Sequence, residues 1–149
     1  MIDSRTAPYA ALVLRVSMGL LLLAHAGLKF FVFTPAGTAH YFASLGLPGW
    51  LGPAVILLET VTGVALVLGV WTRLAALVVI PDLIGAVLLV HLQNGFFFTA
   101  KGGGFEYPLF WAITLFVQVL LGDGALALVP TPGYDRLSFA GGAGSRKAA

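Results

Sequence analysis

The sequence predicts an all-α integral membrane protein, a bundle of four helices, and three observations carry that prediction. Of the 149 residues, 59% are hydrophobic and only 9% are charged, whereas a soluble domain usually carries about a quarter charged residues. The mean hydropathy is +0.98. Four apolar stretches each approach the ~20 residues that an α-helix needs to cross the hydrocarbon core. We therefore expect a multi-pass protein of the bacterial cytoplasmic (inner) membrane, with the lipid bilayer as its surroundings.

The predicted spans together form one transmembrane domain, residues 1–130. They cover about 9–33, 50–70, 74–95 and 107–129, and the third reaches 98 at its widest. Clusters of glycine, proline and threonine, which favour turns, separate them. Residues 131–149 are rich in Gly, Ala and Ser, a composition that predicts a flexible tail.

The first span has a competing interpretation as a cleaved signal peptide. Arg5 and Arg15 would form its basic region, and Ala24-His25-Ala26 resembles a cleavage site. Apolar sequence continues to Phe33, however, and three further spans follow. We therefore expect the first span to be retained.

Basic residues are concentrated on one side of the predicted spans. They occur at the amino terminus, between spans two and three, and in the tail: Arg5, Arg73, Arg136, Arg146 and Lys147. Lys101 is the only basic residue in the other two connections. The positive-inside rule then predicts that both termini are cytoplasmic and that the 34–49 and 99–106 connections lie outside.

Arg15 and Asp82 lie inside predicted spans at a similar depth. A rise of about 1.5 Å per residue puts them about 10 and 13 Å from the cytoplasmic side. An ionisable side chain at mid-depth costs at least ~2.5–3.5 kcal/mol. Opposite charges at matching depth most simply neutralise each other, so we predict a structural Arg15–Asp82 ion pair. Pro81 favours a helix kink beside it.

A second polar layer lies near the outer surface. It comprises His25, Lys29, Glu59, His91, Asn94 and Glu106. His25 and Lys29 are four residues apart and so share one helix face. A snorkelling Lys29 and a Glu106 in headgroup water would be a purely structural explanation. Because ionisable residues inside membranes mark function by default, we predict a polar site here that is able to bind a quinone.

Several classes of site are excluded or not expected. The chain has no cysteine, which excludes disulfides, thiolate metal sites and a cysteine redox step. We expect no metal centre, and we disfavour a haem between His25 and His91, because membrane histidines more often bond polar neighbours. The net charge of +2 arises from scattered residues, so no nucleic-acid partner is expected.

Short motifs along most of the chain carry a family resemblance. They are Arg15-x3-Gly19, His25-Ala-Gly-Leu-Lys29-Phe30, Phe42-Ala-Ser-Leu-Gly-Leu-Pro48, Glu59-x3-Gly63, Leu68-Gly69-Val-Trp-Thr72-Arg73, His91-x2-Asn94-Gly95-Phe96-Phe97, Glu106-Tyr107 and Gly122-Asp-Gly124. In this order and spacing they resemble the DoxX family of small bacterial membrane proteins. The resemblance implies a four-helix membrane protein, often an oxidoreductase subunit. Some relatives belong to a thiosulfate:quinone oxidoreductase, and others to membrane complexes that handle oxidative or thiol stress.

Three functions follow as hypotheses. The first is the membrane subunit of a quinone-linked oxidoreductase, which docks a partner redox protein that supplies the electrons. The second is a transporter for a small solute or a proton. Four helices leave little room for a gated cavity, so a transporter would require a homo-oligomer, which the glycines in the spans would permit. The third is a non-catalytic assembly subunit in which every buried charge is structural.

Overall fold

The computed structural model describes residues 3–132, and these form five α-helices. Helix α1 is Ala7–Gly27, α2 is Pro35–Ser44, α3 is Leu51–Leu68, α4 is Thr72–Ala86 and α5 is Glu106–Leu121. A π-helical turn over Leu28–Val32 extends α1, and a π-helical turn over Val87–His91 followed by a 3-10 turn over Leu92–Asn94 extends α4. The predicted all-α class is confirmed. The predicted tail, 131–149, lies outside the described residues except for its first two.

Three helical stretches are long and apolar enough to cross a membrane. They are Ala7–Val32, Leu51–Leu68 and Thr72–Asn94, and they coincide with the first three predicted spans. Each exposes large apolar side chains on its outer face, such as Leu20, Leu57 and Leu77. Apolar side chains on the outside as well as the inside are typical of helices surrounded by lipid. The chain is thus a multi-pass membrane protein.

Helix α5 is shorter than the fourth predicted span. It ends at Leu121, because Gly122 adopts a φ of +93° and leaves the helical conformation. The following residues then cross the ends of α3 and α4, where Val129 N donates to Gly69 O at 3.0 Å and Trp71 N donates to Val129 O at 2.9 Å. The residues between Leu121 and Val129, which the sequence placed in the membrane span, instead form a clasp over the α3–α4 turn.

Helix α2 lies within the 34–49 connection, which the sequence analysis treated as a loop. Its start has a recognisable signal, because Thr34 Oγ1 accepts a hydrogen bond from Gly37 N at 3.1 Å and Pro35 occupies the first helical position. Both features favour a helix amino terminus. The helix lies against α3 at one end of the bundle.

The long helices form a ring in which α1 packs on α3, α3 on α4, α4 on α5, and α5 on α1. A buried apolar core lies between them, and its largest members are Leu22, Leu66, Val79, Leu83, Trp111 and Leu115. The end of the bundle where the described chain starts is called here the Arg15 end. The opposite end, where α2 lies, is called the Lys29 end. Which end faces the cytoplasm stays a prediction.

The contact between α1 and α3 depends on two glycines that let the backbones approach closely. A Cβ atom at Gly19 would lie 2.7 Å from Gly63 O and 2.8 Å from Val67 Cγ2. A Cβ atom at Gly63 would lie 3.0 Å from Gly19 O. Small residues facing each other are how membrane helices gain van der Waals contact when lipid supplies no hydrophobic driving force.

Substituting Gly19→Ala should therefore separate α1 from α3 and lower the free energy of unfolding by about 1–3 kcal/mol, the usual cost of overpacking. Gly27→Ala is the matched control on the same helix, because its added Cβ would meet nothing nearer than a Phe31 ring carbon at 4.0 Å. Reversible unfolding in mixed detergent micelles measures both. Equal stability of the two variants would contradict the close approach.

Candidate functional site

A cavity of about 580 Å³ lies between the helices toward the Lys29 end. Ligand sites commonly measure roughly 300–1,000 Å³, so the volume suits a small molecule. All five helices contribute to its wall, which is mostly apolar. The polar and aromatic side chains on the wall that can form hydrogen bonds are His25, Lys29, Tyr41, Glu59, Asp82, Tyr107 and Trp111.

Lys29 and Glu59 form a partly buried ion pair on this wall. The Lys29 Nζ atom donates to Glu59 Oε1 at 2.7 Å and to Oε2 at 2.8 Å. The Glu59 side chain is only 3% exposed. Lys29 stands in the π-helical turn after α1, while Glu59 stands in the middle of α3. Removing one member of such a pair leaves an uncompensated charge, at a typical cost of about 3–5 kcal/mol.

Asp82 lies beside this pair. It interacts electrostatically with both Lys29 and Glu59, and its carboxyl group is within hydrogen-bonding range of the Glu59 carboxyl. Pro81, the preceding residue, is exposed and also lines the cavity. The cavity therefore contains two carboxyl groups and one ammonium group in close proximity.

The predicted Arg15–Asp82 ion pair is wrong. Arg15 is 1% exposed, and its guanidinium donates to three carbonyl oxygens, those of Leu66 at 2.9 Å, Val67 at 2.8 Å and Ala125 at 3.0 Å. The last carbonyls of a helix have no partner within it, and a cation there also complements the helix dipole. Arg15 thus satisfies the end of α3 and not a carboxylate on α4.

Gly69 and Asp123 complete the surroundings of Arg15. A Cβ atom at Gly69 would lie 2.8 Å from Arg15 Nη1, so a glycine is needed for the guanidinium to reach the end of α3. Asp123 supplies the nearby negative charge. Its own carboxylate accepts hydrogen bonds from Thr72 N at 3.1 Å and Thr131 N at 3.0 Å. The Arg15 end is therefore held together by these contacts between helix ends and the clasp.

Three of the six predicted site residues lie in a different group, which holds the loop between α4 and α5. His91 Nδ1 is 2.9 Å from Gly103 O, and Asn94 Nδ2 donates to that same oxygen at 3.0 Å. Glu106 Oε1 accepts from Phe98 N at 2.7 Å. These side chains satisfy backbone groups of an irregular segment, as membrane proteins require.

Tyr107 connects this loop group to the cavity. Its ring lines the cavity, and its hydroxyl oxygen is 3.1 Å from His91 Nε2. Because a carbonyl oxygen only accepts, His91 Nδ1 must donate to Gly103 O. His91 itself is not among the described residues that line the cavity.

Trp111 is a residue of the cavity wall that the sequence analysis did not single out. It is 7% exposed, lines the cavity and packs its ring against that of His25 with the centroids 5.0 Å apart. Its indole Nε1 has no hydrogen-bond partner among the described residues. Buried polar atoms are nearly always paired, so this unpaired N–H is unusual. The spacing to Tyr107, one helical turn, was the signal in the sequence.

The structure thus brings His25, Lys29 and Glu59 together in one cavity and adds Asp82, Tyr107 and Trp111 to them. Asp82 was assigned to another partner because depth alone was used to match charges. Depth along a helix does not say which neighbour a side chain faces.

Double-mutant cycles should distinguish the observed Lys29–Glu59 ion pair from the Arg15–Asp82 pair that the sequence predicted. Lys29→Met with Glu59→Gln should show a coupling energy of about 1–3 kcal/mol, whereas Arg15→Gln with Asp82→Asn should add to within about 0.5 kcal/mol. Unfolding free energies in detergent measure both cycles. Strong coupling between Arg15 and Asp82 would contradict the geometry described above.

Comparison with known proteins gives the family. The sequence model of the DoxX family matches residues 10–92, over half of the chain. A Bacillus subtilis (strain 168) protein named "Putative oxidoreductase CatD" is 33% identical over 119 residues, which cover 80% of this chain and 84% of that protein. An uncharacterized protein of Haemophilus influenzae is 30% identical over 123 residues, covering 81% and 89%. No solved structure matches. This chain belongs to the DoxX family.

Proposed function

We propose that this protein is the membrane subunit of a redox complex and that its cavity binds the head group of a quinone. The observation that carries the proposal is the combination of an apolar cavity of about 580 Å³ with a compact polar group, Lys29, Glu59 and Asp82, on one wall. Sites for small organic molecules are typically apolar with a few polar groups that fix orientation.

The wall fits the chemistry of a quinone head group. A quinone is a flat apolar ring with two carbonyl oxygens, which only accept hydrogen bonds. The Lys29 ammonium has a third N–H beyond the two that contact Glu59, and the Trp111 N–H is unpaired among the described residues. Charged donors contribute more than neutral ones, about 1.5–3 kcal/mol for each hydrogen bond. The Lys29 donor would orient the ring.

Some residues on the cavity wall are also exposed, namely Val78 and Pro81 of α4 and Leu89 of the π-helical turn that follows it. An isoprenoid tail could therefore extend past α4 into the bilayer while the head group stays beside Lys29. A water-soluble substrate would have no use for such an apolar side opening.

The electrons would come from a partner. With no cysteine in the chain, an iron–sulfur cluster of the usual thiolate type cannot form here. Conversion of a quinone to a hydroquinone takes up two electrons and two protons. We propose that a partner redox protein supplies the electrons, and the relative named as an oxidoreductase supports a redox role.

Tryptophan fluorescence offers a direct test of quinone binding. The chain has three tryptophans. Trp111 lines the cavity, whereas Trp50 and Trp71 are 68% and 46% exposed and do not. A short-chain quinone added to the full-length protein in detergent should quench the emission saturably, because a bound quinone ring would contact the Trp111 indole. Trp111→Phe should remove the saturable component, and Trp50→Phe and Trp71→Phe should retain it.

A second variant tests the polar wall while Trp111 is kept. The double substitution Lys29→Met with Glu59→Gln removes the charged donor without leaving an unpaired partner, and it should weaken the saturable quenching at least about tenfold. Glu106→Gln, outside the cavity, should leave it unchanged. Only linear quenching in the wild type, or saturable quenching that persists without Trp111, would overturn the proposal.

A further inference from the structure

The charges on the cavity wall do not balance if every group is ionised. Lys29 supplies one positive charge, while Glu59 and Asp82 supply two negative charges. Both oxygens of Glu59 already face the Lys29 ammonium at 2.7 and 2.8 Å. An uncompensated charge among apolar membrane helices is strongly unfavourable. Something must therefore neutralise the second carboxylate.

The other groups that face this cluster do not supply a positive charge. They are His25 from α1, Tyr41 from α2 and Tyr107 from α5. His25 is the single candidate cation among them, and it lies one helical turn from the Lys29 ammonium with its ring against Trp111. A second positive charge at His25 would repel Lys29 and lose water of hydration.

The contact between the two carboxyl groups indicates that a proton neutralises the second carboxylate. Asp82 lies within hydrogen-bonding range of Glu59. An ionised carboxylate only accepts hydrogen bonds, so a hydrogen bond between two carboxyl groups requires a proton on one of them. We propose that Glu59 and Asp82 share one proton beside Lys29, and that they exchange this proton with the ligand of the cavity.

This exchange of a proton with a bound quinone rests on the proposed function. When two electrons from the partner reduce a bound quinone, its two oxygens take up two protons. The carboxyl pair delivers one of them to the nearer oxygen, and bulk water supplies the other. The pair, now doubly ionised, regains its proton from water. Without a proton held by the carboxyl pair, the first proton would have to cross the apolar cavity wall while negative charge accumulated on the quinone ring.

Infrared spectroscopy of the ligand-free, full-length protein tests the shared proton. A protonated carboxyl group gives a C=O stretching band that is separate from the carboxylate bands and moves to lower frequency in D₂O. The chain has only six acidic side chains, so the band can be assigned by substitution. We expect it at neutral pH in the wild type and expect it to disappear in both Asp82→Asn and Glu59→Gln, because either change leaves one carboxylate to balance Lys29.

Two further variants sharpen the assignment. Lys29→Met should roughly double the band, since both carboxyl groups must then be neutral. Glu106→Gln should leave it unchanged, because Glu106 lies outside the cavity and accepts from Phe98 N. Absence of the band in the wild type, as a cationic His25 would produce, overturns the proposal, and so does a band that survives Asp82→Asn in folded protein.

The ligand step is tested separately. Saturating short-chain quinone should shift the carboxyl band of the wild type, and a quinone that binds without shifting it would overturn the exchange. If instead the band behaves as expected but no quinone binds saturably, the shared proton stands and the proposed quinone function fails. The two proposals therefore fail through different measurements.

Discussion

The fold depends on one constraint, that every charge and every backbone polar group within the hydrocarbon must find its partner inside the protein. Helix α1 and the turn after it bring two cations, and both turn toward α3. Arg15 satisfies the carbonyls at the end of that helix, and Lys29 neutralises a carboxylate at its middle. The glycines at positions 19 and 63 lie between these two attachments, so the electrostatics and the close packing support the same contact.

The cavity follows from the way these attachments are distributed. Arg15 and Lys29 both hold α1 to α3. The cavity wall on the α4 and α5 side carries Asp82, Tyr107 and Trp111. Their partners are either shared with other residues or absent among the described residues. Tyr107 is held by the loop group through His91, and Trp111 keeps an unpaired N–H. Each side of the cavity therefore keeps one N–H without a partner among the described residues, the third of Lys29 and that of Trp111.

Much of this could be predicted from sequence. Hydropathy gave the class and three spans because the length and apolar character of a span are local properties. Asp82 shows where local reasoning ends, since depth matched it to Arg15 although α4 presents it to Lys29 and Glu59. The end of α5 at Leu121 was missed because residues 122–129 are apolar yet pair with the α3–α4 turn. His91, Asn94 and Glu106 were predicted to face one site, whereas all three bond backbone atoms of the loop between α4 and α5, and such partners cannot be read from composition.

The shortness of α5 has a consequence for the surrounding lipid. Its 16 residues span about 24 Å, whereas the hydrocarbon core is about 30 Å thick. A span shorter than the bilayer is accommodated by thinning of the membrane or by protein that covers the deficit. The other three helical stretches reach 18 to 26 residues. A bilayer that followed the length of each helix would therefore be thinnest beside α5, where a lipid of short chains would be the least distorted neighbour.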